Sequence, residues 1–209
     1  MMVAAMAPCR LYLKLPAGPS AALETSVAKA MDEADVACIL LCSDGAPIDS
    51  AWDARLREIT REREVAFLIE NDAERAERIG ADGVHVAADV SLYRRAREHL
   101  DQRTIIGAGC IASRHEAMVM AELGADYIAF GPMQGDGEPD RRAEFIGWWA
   151  EIFVVPSVAW DVETAEEAET LASLGADFVA LSTAIWQAKD AVKRIAGIGA
   201  ALRQVRTAA

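Results

Sequence analysis

"GADYIAFGP", residues 124–132, sets the fold because it is one of four versions of the same phrase. The others are "EADVACILL" from Glu33, "GADGVHVAA" from Gly80 and "GADFVALST" from Gly175. Each follows a helical run and opens a short apolar, β-prone stretch. The leading glycine suits the left-handed residue that ends a helix, and Ala-Asp makes a tight entry into the next strand. Hydrophobicity in these strands is continuous and does not alternate. That implies burial on both faces, and hence a parallel sheet.

Outward from the four phrases, strand-like runs cover Arg10–Leu15, Val36–Cys42, Val65–Ile69, Gly83–Val86, Thr104–Gly107, Tyr127–Phe130, Phe153–Val158 and Phe178–Leu181. Amphipathic segments such as "SAALETSVAKAMDEA" and "TAEEAETLASLG" lie between them. Eight strands, each followed by a helical segment, predict a single α/β domain over residues 1–209, a (β/α)8 TIM barrel, with residues 1–9 as a frayed start. An open doubly wound sheet is the competing arrangement. Eight units, and no Gly-x-Gly-x-x-Gly after the first strand, weigh against it. The sixth crossover, "DRRAEFIGWWAEI" (140–152), has room for only a short helix.

The chain has 209 residues and a net charge of −12. That charge argues against nucleic acid and anionic membrane surfaces as partners, because phosphate backbones demand a basic face. A phosphorylated ligand must be held by local dipoles, a metal or a few placed cations, against the overall field. No apolar run approaches the roughly 18 residues that cross a bilayer, and the apolar start lacks a cationic leader. Cys9, Cys38, Cys42 and Cys110 sit in or beside apolar runs without metal-ligand spacing. They read as reduced, core-type cysteines of a cytoplasmic protein.

Chemistry in such a barrel belongs at the C-terminal ends of the strands. There, "FLIENDAERAERIGADGVHVAAD" (67–89) resembles the segment of thiamine-phosphate synthases that runs from an Asn-Asp-Asp turn to Gly-Ala-Asp-Gly-Val-His. "RLYLKLP" (10–16) is similar to their opening strand, "GADYIAFGP" to strand six and "GADFVALSTAI" (175–185) to strand eight. The resemblance spans nearly the whole chain. It implies a (β/α)8 barrel that joins hydroxymethylpyrimidine diphosphate to thiazole phosphate in thiamine biosynthesis, releasing pyrophosphate with Mg²⁺. It places metal ligands at Asn71, Asp72 and Asp89, and phosphate or ligand contacts at Gly131, Ser182 and Thr183, where the free N–H groups of a helical turn suit a phosphate.

The framework matches and the chemistry departs. Where the family carries Gln, Arg and Lys in the second strand, this chain has Leu40, Cys42 and Asp44. Glu70, Asn71 and Asp72 stand at the Asn-Asp-Asp turn; a one-residue shift restores the Asn-Asp pair, and Asp89 needs a similar shift. Gly109 replaces a serine, Pro139 a lysine, and Trp160-Asp161 the Gly-Gly that cradles phosphate after strand seven. Pro132 stands where the related thiazole tautomerases place a catalytic histidine. Neutralising a leaving pyrophosphate needs Mg²⁺ and cations, so losses at Asp44 and Pro139 predict an eroded site, and Asn71 in place of a carboxylate with Asp89 out of register predicts weak Mg²⁺ binding. Two functions are compatible with this: a thiamine-phosphate synthase of altered activity, or a catalytically silent relative that binds a small ligand or acts as an interaction module.

Single residues carry further expectations. Tyr12 and Lys14 share parity on the first strand, so if one faces the lumen both do, and Lys14 is either a replacement cation or a rim lysine in solvent. Trp160 is expected to fill the mouth, its N–H reaching Asp136 or Asp161. His85 reads as a hydrogen-bonded structural histidine, and His99 and His115 as solvated. Asn71 or Asp72 equally suits a helix N-cap. Trp148 and Trp149 cover the barrel wall or form the contact of a homodimer.

Overall fold

Parallel strands β1 (Arg10–Leu15), β2 (Val36–Leu41), β3 (Ala66–Glu70), β4 (Gly83–Ala87), β5 (Ile105–Gly109), β6 (Tyr127–Phe130), β7 (Ser157–Val162) and β8 (Phe178–Leu181) each pair with the next, and β1 closes on β8. The computed structural model describes residues 8–18, 20–43, 45, 48–109, 113–132 and 140–208. Helices α1 (Ala21–Glu33), α2 (Ser50–Glu62), α3 (Ala73–Ile79), α4 (Val90–His99), α5 (Arg114–Glu122), α6 (Arg142–Ile152), α7 (Ala165–Ser173) and α8 (Ala191–Ala208) alternate with the strands. A short 3-10 turn (Thr183–Gln187) precedes α8. The expected (β/α)8 barrel is the observed one.

The repeated phrase has a structural cause beyond strand entry. Gly80, Gly124 and Gly175 end their helices at φ of 64°, 97° and 104°, where a side chain would be strained. The aspartate two residues later then accepts a backbone N–H from the start of the preceding strand. Asp82 takes Phe67 N at 2.8 Å, Asp126 takes Ile106 N at 2.7 Å and Asp177 takes Ser157 N at 2.8 Å. Asp35 in the first phrase instead pairs with Arg10, at the head of β1. Each even strand is thereby stapled to its odd neighbour.

Two apolar layers follow. Leu11, Leu13, Ile39, Phe67, Ile106, Ile128 and Val179 face the helices, while Tyr12, Cys38, Leu40, Leu68, Tyr127, Val158, Trp160 and Ala180 fill the lumen. Gly107 is glycine because the Tyr127 ring lies on it: an added Cβ would stand 1.9 Å from the ring.

Two expectations need correction. The seventh strand begins at Ser157, not Phe153, because Pro156 lacks a ladder donor and the Phe153 ring is stacked on Trp149 at 4.0 Å. The sixth crossover holds a full 11-residue helix, and the shortest helix is α3 with 7 residues. Of the two roles expected for Trp148 and Trp149, Trp149 covers the barrel wall, fully buried against Phe130 and Phe153, while Trp148 is partly exposed beneath Arg114.

Candidate functional site at the barrel mouth

Parity places both Tyr12 and Lys14 of β1 in the lumen, and both are buried. Lys14 is no rim lysine: it forms an ion pair with Asp161 at the end of β7, and its ammonium lies 4.6 Å from the centre of the Trp160 ring. Trp160 is 9% exposed and stacks on His85 of β4 at 4.4 Å, filling the lumen below the mouth. Deeper in, His85 Nδ1 is 2.9 Å from the Tyr127 hydroxyl, which is 2.9 Å from the Tyr12 hydroxyl. The Tyr12 hydroxyl in turn meets the Cys38 thiol. Asp161, one of the two expected acceptors for the Trp160 indole, is bound to Lys14 instead. The other, Asp136, lies outside the described residues, as do Asp44, Cys110 and Pro139.

The end of β7 explains why Asp161 can reach Lys14. The β7–β8 register shifts between Ala159 and Val162, and Asp161 adopts φ of 57°. Left-handed backbone is costly for most side chains but tolerated by Asp. The shift turns the Trp160 and Asp161 carbonyls out of the ladder, and buried Arg142 of α6 satisfies them with bonds of 2.8 and 3.2 Å. Arg142 also pairs with Asp140 and Glu167, fixing α6, α7 and β7 together. Sequence reasoning missed Arg142, since nothing in "DRRAEF" distinguishes a buried arginine from a solvated one. It also passed over Tyr127 as an apolar strand residue, although its hydroxyl joins the lumen chain.

The expected metal positions are held by local structure. Asp72 caps α3, accepting Arg75 N at 2.9 Å, and Asp89 caps α4, accepting Ser91 N and Leu92 N at 2.7 and 2.9 Å. Asn71, at φ of 53°, accepts the Ala87 N–H at 3.1 Å. Among the described residues no three His, Cys, Asp or Glu side chains gather as a metal site. Gly131 lies buried just past β6. Ser182 caps the 3-10 turn with its hydroxyl on Ala184 N, and its carbonyl takes Ile185 N, so the turn that Thr183 opens is largely satisfied from within.

Burial, with the Lys14 charge adding to it, pushes the His85 pKa down to about 3. The imidazole is therefore neutral at physiological pH. Burial likewise raises the Tyr12 and Tyr127 hydroxyls, so both remain protonated. An unfolded histidine titrates near 6.5, so protonation favours the unfolded chain below that value. Stability from His85 is complete above about pH 6.5 and is lost towards about pH 3, at about 1.4 kcal/mol per pH unit. Urea unfolding between pH 6.5 and 4.5 is expected to show this slope, and His85→Gln to flatten it; equal slopes would refute the assignment.

Residues 17–185 match the family model described as thiamine monophosphate synthase. The thiamine-phosphate synthase of Rhodospirillum centenum is 41% identical over 188 residues, covering 87% of this chain and 91% of that protein. That of Hyphomonas neptunium is 34% identical over 195 residues, 87% of each chain. Among solved structures, a thiamine phosphate pyrophosphorylase from Pyrococcus furiosus superposes with a TM-score of 0.80 over 94% of this chain and 96% of that one. Its sequence identity is 24%, so the likeness is one of fold.

Proposed function

The chain belongs to the thiamine monophosphate synthase family, and from that premise we propose that it is an attenuated member whose obstructed mouth takes a small phosphorylated heterocycle only weakly, with pyrophosphate-releasing turnover largely lost. One observation carries the reading. Lys14, the cation that the described strands bring into the lumen, is neutralised by Asp161 and seated on Trp160. A phosphate entering between β7 and β8 meets a carboxylate and an indole where close backbone approach is required.

Electrostatic stabilisation of the leaving group is usually the largest single contribution to such a transfer. Here the nearest ammonium is already paired, and the Asp72 and Asp89 carboxylates are engaged in capping. Mg²⁺ is then held weakly, with Asp72 and Asp89 contributing only alongside a substrate's own phosphates. With hydroxymethylpyrimidine diphosphate, thiazole phosphate and Mg²⁺ supplied, pyrophosphate release is expected at least about a thousandfold below that of a competent relative, the scale reached when several groups that stabilise the transition state are missing together. Robust release by the purified protein, abolished in Asp89→Ala, would restore full synthase activity as the function.

A further inference from the structure

The chain contains four lysines, Lys14, Lys29, Lys189 and Lys193. Three of them, all but Lys14, line one groove of about 600 Å³ between α1 and the junction of the 3-10 turn with α8. Lys14 is the only lysine with an ion pair among the described residues. We propose that this groove is a second, separate binding site for a compact polyanion carrying two or more phosphoryl groups.

The argument is electrostatic. A chain of net charge −12 repels anions from most of its surface. Many of its arginines are engaged by neighbouring carboxylates, as in Arg55–Glu24, Arg57–Asp82, Arg63–Asp32 and Arg75–Asp53. The groove is a local reversal: three lysines without ion pairs and two acidic residues, Glu33 and Asp190, line it, for a net wall charge of +1. A lysine ammonium is a point charge with three rotatable donors, suited to phosphate oxygens without a fixed bidentate geometry. The volume falls in the range of small-ligand sites. α8 also opens into the groove at Ala191, so its dipole field favours negative charge there.

Trp186 also lines the groove and supplies a reporter. Its indole N–H donates to the Lys14 carbonyl at 2.7 Å, which fixes the ring where it lines the groove. This site is not the barrel mouth. It uses different cations and does not depend on synthase activity in either direction.

Pyrophosphate is the probe. Calorimetric titration at low ionic strength is expected to show binding that weakens at least tenfold in Lys189→Glu/Lys193→Glu. Lys14→Gln, with its fold checked by circular dichroism, should keep the affinity within about twofold. A pyrophosphate-dependent change in tryptophan fluorescence should vanish in Trp186→Phe. Undetectable binding at 10 mM pyrophosphate, an affinity unchanged by the double reversal, or binding lost in Lys14→Gln but kept in the double variant would each overturn the proposal. The last result would assign the anion to the mouth.

Discussion

Asp53→Ala is expected to destabilise the protein by about 3–5 kcal/mol, because it strands a buried guanidinium. Asp53 on α2 is fully buried, and Arg75 on α3 is 6% exposed. They meet in a two-point contact, Nε to Oδ2 at 2.9 Å and Nη2 to Oδ1 at 2.6 Å. The pair's net contribution is modest, since desolvation offsets most of its attraction. Its one-sided loss is what costs. In a chain of this size the melting temperature should fall on the order of 10 °C. A volume-matched apolar pair, Asp53→Leu with Arg75→Met, should recover most of the loss. Chemical denaturation of these variants beside the parent checks this. An Asp53→Ala loss under about 1 kcal/mol, well short of a stranded charge, would show that water reaches the guanidinium.

Trp160→Gly should act on stability and binding together. Burial of the indole contributes on the order of 2–3 kcal/mol, and truncating a buried tryptophan typically costs about 3–5 kcal/mol once the cavity is included. The His85 stack and the seat of the Lys14 ammonium are lost with it. The variant should melt lower and bind thiazole phosphate more tightly, through space opened beside Ser182, Thr183 and Lys14. Trp160→Leu separates the effects: it keeps apolar volume, so it should lose less stability and gain less affinity. Calorimetric melting and thiazole phosphate titration decide the matter. A Trp160→Gly protein as stable as the parent, or a parent that already binds thiazole phosphate tightly, would refute the plugged mouth.

The proposed attenuation of turnover and the proposed anion groove separate cleanly under test, since one concerns the mouth and the other pyrophosphate binding at Lys29, Lys189 and Lys193. Both bear on how a strongly acidic family member handles phosphorylated molecules. Its lysines are few, and their placement matters more than their number.

Much of the fold was legible in the chain. Strand runs, their even spacing and the glycines that end helices are local properties, set by backbone sterics and by burial on both strand faces. Hence β1, β6 and β8 match their expected limits residue for residue. The shared parity of Tyr12 and Lys14, and the capping role of Asp72, follow from the same short-range rules. The seventh strand was misplaced because Pro156 interrupts an apolar run that continues on both sides.

What the site does lay beyond sequence. Lys14 and Asp161 are 147 positions apart, His85 and Tyr127 are 42 apart, and Trp186 reaches a carbonyl 172 positions away. Residue parity tells which side chains face inward but not which meet across the lumen. Barrel closure and the register shift in β7 decide that, by turning Asp161 towards Lys14 and handing two carbonyls to Arg142. The sequence thus determined a barrel of recognisable ancestry, while only the tertiary structure decided that its lumen cation is self-neutralised and that Lys29 shares one groove with the distant Lys189 and Lys193. The reason is physical: strands and helices are specified by neighbours in sequence, whereas charge pairing depends on distances that exist only after the sheet has closed.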